Sequence, residues 1–267
     1  MLEIFQYAFM QKAFIAGLLI GIACSILGVF LVLRRQALIG DGLAHISFGG
    51  IACGLLFGIA PILSALVFGL AGSLGIAKLR EKTPLGADAA IGIISHASLG
   101  IGIFIISISQ GMNAGMLSYL FGSILSIEVS EMALSGALAL LAIAFVSLFY
   151  HELIFISFDE EAAKISGTNT NFLNYSLAFL TALVVVGAMP IIGLLLSASL
   201  IVLPAASALL LKTSFKKTLF FAALFASVSV AAGLFLSYYL DTAPSGSIVL
   251  ANAAIFAGIF LIGKIKK

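Results

Sequence analysis

Residues 13–35 read AFIAGLLIGIACSILGVFLVLRR. An uncharged run from Ala13 to Leu33 ends on Arg34 and Arg35. A helix of that length, at about 1.5 Å per residue, crosses the roughly 30 Å hydrocarbon core of a bilayer. The arginines then stop it at the headgroups, with their stems lying along the apolar boundary. The segment before the run carries Glu3 and only one lysine, Lys12, and no A-x-A site follows. We therefore read a retained span and not a cleaved signal.

The rest of the chain repeats the pattern. Of 267 residues, 62% are hydrophobic and 9% are charged. The mean hydropathy is +1.26. A soluble domain of this length would lack the polar residues to cover its surface. The expected fold is all-α, a polytopic helical bundle forming one transmembrane domain over residues 1–267. The net charge of +2 leaves no nucleic-acid footprint. Cys24 and Cys53 lie in apolar runs without metal-ligand spacing, as small core residues do.

Nine spans are placed at about 13–33, 37–57, 61–78, 88–108, 130–150, 172–189, 191–211, 218–239 and 246–263. Basic residues follow every odd-numbered span: Arg34 and Arg35; Lys78, Arg80 and Lys82; Lys164; Lys212, Lys216 and Lys217; Lys264, Lys266 and Lys267. The even-numbered connections carry neither Lys nor Arg. The positive-inside rule then puts the C-terminus in the cytoplasm and the N-terminus outside, with Lys12 alone on the wrong side. Tyr7, Tyr150, Tyr175, Tyr238 and Tyr239 fall near span ends, where amphipathic rings are stable.

Two connections are unusual. Residues 110–129 are too apolar for a plain loop and too Gly-broken for a span, so a re-entrant or interfacial helix is expected. Pro190, Gly193 and Pro204 predict a broken or kinked helix in 187–211.

Asp41 and His45 stand four apart and project from one face of the second span. Counted from Arg35, Asp41 lies about 9 Å and His45 about 15 Å into the membrane. An ionisable residue at that depth is costly and marks a polar pathway. A carboxylate with an imidazole suits a divalent transition metal such as zinc or manganese. The plainer reading is a hydrogen-bonded pair that packs two helices. The fourth span repeats the theme with Asp88 and His96, about 80° apart around the helix. His96 is placed to face His45, or to make a simple helix contact. Asp88 reads as a helix cap before it reads as a ligand. His151 sits at the end of the fifth span and takes no metal role. Glu128, Glu131 and Asp241 form a solvated outer rim.

Residues 159–167, DEEAAKISG, open with Asp159, Glu160 and Glu161, suited to the positive end of a helix dipole. Ala162 and Ala163 follow, and Gly167 suits the C-cap. Spacing alone allows a docking helix or a solvated connector. No G-x-x-x-x-G-K-[ST] occurs, and no catalytic carboxylate pair or Ser–His–Asp arrangement stands out, so no enzyme is read.

LVLRRQALIGDGLAHISFGGIA (31–52), DAAIGIISHASLGIGI (88–103), SYLFGSIL (118–125), FDEEAAKISG (158–167), VGAMPIIGLLLSASLIVLPAASALLL (186–211) and APSGSIVL (243–250) occur in order. Together they resemble the permease subunits of bacterial ABC importers for zinc, manganese and iron. The resemblance implies a homodimeric permease in the bacterial cytoplasmic membrane. It implies a separate ATPase dimer docked on a coupling helix that includes Asp159, Glu160, Glu161, Ala162 and Gly167, and an extracytoplasmic protein that delivers the metal. It implies an intramembrane metal path through Asp41 and His45, and alternating access, with no permanently bound cofactor. Members of the family have eight or more helices, which implies that the nine spans could reduce to eight around 186–204. Ser95-His96-Ala97-Ser98-Leu99-Gly100 is similar to the A-H-S-A-L-S of zinc-type members, so zinc is expected before manganese or iron. A proton-coupled secondary metal transporter is the rival reading, and it would favour an inverted repeat that the chain does not display.

Overall fold

The computed structural model describes residues 6–84, 86–109, 122 and 127–265. These form α1 (Ala8–Leu33), α2 (Ile39–Phe57), α3 (Pro61–Lys82), α4 (Ala87–Ile108), α5 (Val129–Leu148), α6 (Tyr150–Phe158), α7 (Glu160–Ile165), α8 (Thr170–Ile192), α9 (Leu194–Leu210), α10 (Phe215–Leu240) and α11 (Pro244–Ile265). Eight of these helices are long and apolar enough to cross a membrane. The 17-residue α9 is the ninth apolar helix. The all-α membrane bundle expected from composition is thus observed.

The local chemistry explains the ends. Pro61 opens α3, where its missing N–H costs nothing. Gly58 closes α2 in the left-handed region at φ 66°. Glu128 and Glu131 form a reciprocal capping box on α5. They do a structural job that the rim reading had not assigned. The proline-rich stretch breaks at Gly193, whose φ of 80° and ψ of 160° suit glycine and little else. Pro190 and Pro204 remain inside α8 and α9. The expected break therefore falls at the glycine between them.

The span at 130–150 and the connection over 151–172 are redrawn. Helix α5 ends at Leu148, and a second helix, α6, fills 150–158 before α7. His151 lies in the first turn of α6 and not at the end of the fifth span. The re-entrant helix expected over 110–129 lies outside the described residues, apart from Gly122 and the start of α5. Gly122 itself reaches the break, with its φ of 74° and a backbone that abuts Ile192 and Gly193.

Helices α1, α2 and α8 hold most of the interior, while α4 and α11 lie at the periphery. Helix α2 packs chiefly on α3 and α4, and α1 on α5, α9 and α10. Buried Ser25, Thr181, Ser207 and Ser229 return their hydroxyls to carbonyls three or four residues back, as apolar surroundings require. Lys12 donates to the Ile127 carbonyl at 3.2 Å. The lysine that broke the charge alternation thus has a local partner beside the α5 cap.

Candidate functional site

Helix α2 begins immediately after the turn that follows Arg34, so Asp41 falls in its first turn and His45 one turn on. His45 Nε2 lies 3.5 Å from Asp41 Oδ2. The rings of His45 and His96 approach to 6.2 Å between centroids, at 38°. The two histidines that the sequence placed on separate helices are therefore neighbours. His96 Nδ1 is 2.7 Å from the Gly92 carbonyl. A carbonyl can only accept, so Nδ1 donates in this contact.

The cluster opens away from the single chain. The side chains of His45 and Asp41 keep 33% and 56% of their surface exposed, and His96 is also exposed. Among the described residues no three His, Cys, Asp or Glu side chains are gathered to hold a metal ion by themselves. Asp41, His45 and His96 lie together along one outer seam of α2 and α4.

Asp88 does not join them. It sits in the first turn of α4, exposed, about 12 Å along the helix from His96. Gly86 occupies the N-cap position, without a side-chain bond. The cap reading for Asp88 is therefore corrected to a charge placed favourably in the dipole.

The acidic loop divides into two faces. Asp159 caps α7, accepting from the Ala162 amide at 2.9 Å. Gly167 follows in the left-handed region at φ 89°. Glu161 is exposed, and so are Phe158 and Ile165, which keep 72% and 88% of their surface. Phe158 closes α6 and Ile165 closes α7, so two large apolar side chains stand uncovered on either side of the acidic turn. The sequence did not single them out, because the exposure of an apolar side chain depends on tertiary packing.

Glu160 turns the other way. Its Oε2 accepts from Arg34 at 3.1 Å and from Arg80 at 2.7 Å. Its Oε1 accepts from Asn174 at 2.6 Å. Arg34 also donates to Asn174 Oδ1. Arg34, read from sequence as a snorkelling anchor, has only 3% of its side chain exposed. Burial pushes the Glu160 carboxyl up, but the Asn174 hydrogen bond and the charges of Arg34 and Arg80 outweigh it and hold the group below the usual carboxylate range. A cavity of about 410 Å³ borders these side chains. At the same end, Tyr175 donates to Glu81 at 2.6 Å, and the Lys216 ammonium stands 5.9 Å from the Tyr150 ring.

The ABC 3 transport family pattern matches residues 6–263. The manganese transport system membrane protein MntC of Listeria monocytogenes is 35% identical over 256 residues, 96% of this chain and 91% of its own. A probable metal transport system membrane protein of Treponema pallidum is 36% identical over 250 residues, 94% of each chain. Among solved structures, PsaBC from Streptococcus pneumoniae in complex with Fab superposes with a TM-score of 0.83 at 32% identity, covering 97% of this chain and 92% of that one. With that span of likeness, this chain belongs to the ABC 3 transport family: it is the permease subunit of an ABC metal importer, a transport subunit whose ATPase is a separate protein.

Proposed function

We infer that the chain carries a divalent transition metal ion into the cytoplasm along the seam formed by Asp41, His45 and His96. The approach of two imidazoles and a carboxylate, from two adjacent membrane helices, carries this reading. Such groups at this depth are costly unless a cation or a polar path employs them. One chain supplies a partial set, so a second copy facing the same seam completes it, and the permease acts as a homodimer. The donor set is open and weak enough to release its cargo, as transport requires. An ATPase dimer docks on α7 and its flanking Phe158 and Ile165, and an extracytoplasmic binding protein loads the opposite end. The loops rich in Lys and Arg face the cytoplasm, which places the C-terminus there.

Two readings of the metal rest on different observations. Zinc is favoured by His96, since a second imidazole suits that ion. Manganese is favoured by the name of the Listeria relative. The test is uptake of radioactive zinc and manganese into vesicles holding this chain, its ATPase and its binding protein. Uptake that needs hydrolysable ATP supports the importer reading, and the preferred isotope names the metal. Uptake that follows a proton gradient without the ATPase overturns it.

A further inference from the structure

We propose that Glu160 is a positioning residue that passes the movement of α7 to the helix bearing Asp41 and His45. The inference rests on the importer reading above. Helix α7 has six residues, too few to be stable alone. Only Ala163 among them is buried, and the backbone of α7 lies chiefly against α6 and the start of α8. Glu160 adds ties to two more places, the end of α1 through Arg34 and the end of α3 through Arg80, and a third bond to α8 through Asn174. The apolar grip of α7 is therefore slight, and its polar grip is concentrated in one carboxylate. The cavity beside these side chains gives the joint room to shift.

From Arg80 the path runs into a stiff interface. A Cβ on Gly72 of α3 would come within 2.7 Å of Ile46 Cγ2, and a Cβ on Gly50 of α2 within 2.8 Å of Ala65 Cα. The two helices meet without slack, so one does not slide without moving the other. Ile46 is the chain neighbour of His45, and Gly72 lies about 12 Å along α3 from Arg80. A second path starts at Arg34, the C-cap of α1. The turn after it is pinned by Gln36 N to Leu31 O at 2.8 Å and Ile39 N to Gln36 O at 3.0 Å, and it runs directly into the turn bearing Asp41.

Proximity alone does not establish coupling, so the test reads coupling itself. Glu160→Gln and Arg80→Gln are each assembled with the ATPase in vesicles, with the loaded binding protein outside. Radioactive manganese or zinc delivered per ATP hydrolysed is measured. Arg80→Gln leaves Glu160 paired with Arg34 and Asn174, so it cuts the α3 tie while keeping the joint filled. In both variants the metal delivered per ATP falls by about tenfold or more, within the usual range of coupling between sites. An unchanged ratio in Arg80→Gln overturns the proposal. Loss of the ATPase from the Glu160→Gln complex also overturns it, because Glu160 would then be a docking contact. A wild-type complex without ATP-driven uptake would instead remove the importer reading, which separates the two failures.

Discussion

At the scale of single residues, the two halves of the DxxxH turn face the same open seam, and the His96 ring lies beside that of His45. Asp41→Ala and His45→Ala should each reduce uptake beyond the roughly 10–100-fold typical of groups that merely orient a ligand, with assembly intact. Isotope uptake by purified complexes checks this. His96→Phe should move the preference away from zinc and towards manganese, measured by competition between the two isotopes. Glu160 gives a pH prediction. Its folded carboxyl titrates below the ordinary range, so its contribution to stability is full above the unfolded pKa of about 4.3 and is lost as the pH falls through the lower folded value. The thermal midpoint of Glu160→Gln should therefore lie below that of the wild type at pH 7. The two should converge in acid below the carboxylate range.

At the scale of elements, the break between α8 and α9 depends on Gly193, whose backbone lies where L side chains are strained. Gly193→Ala should cost about 1–3 kcal/mol. Gly258→Ala in α11, where a Cβ meets nothing within 4 Å, should be neutral or slightly stabilising. Thermal unfolding of the two variants in one detergent makes the comparison. The break was announced in the sequence by Pro190, Gly193 and Pro204 together, and it occurs at the glycine. Proline is tolerated near helix ends and within membrane helices, where neighbouring groups re-satisfy the freed carbonyl. Glycine alone provides the positive φ that turns the chain. Helix α6 was not legible, because YHELIFISF starts where the fifth span gives way to the connection, and nine residues are too few for a span.

At the scale of the whole molecule, the ends of α1 and α3 meet the acidic loop at one end of the bundle. There Glu160 joins α1, α3, α7 and α8. The exposed pair Phe158 and Ile165 lies at the same end, on the outer side of α7. Ile165→Asp combined with Phe158→Ser should lower recovery of the ATPase with the permease by about tenfold or more, as loss of apolar anchors does at other interfaces. Co-purification at matched expression measures it.

Chain order was enough to establish the membrane class, the run of apolar spans, the alternation of basic ends and the face shared by Asp41 and His45. Each of these depends on properties local in sequence: hydropathy over about 20 residues, and the 3.6-residue period of one helix. The meeting of His45 with His96 was one of two readings left open by the sequence, and the inward turn of Glu160 could not be read at all. They depend on how each helix is rotated and where it crosses its neighbour, which small residues such as Gly50 and Gly72 set through packing between segments distant in the chain. The same acidic triplet therefore has three destinations: Asp159 to a cap, Glu161 to the surface and Glu160 to the joint with Arg34 and Arg80.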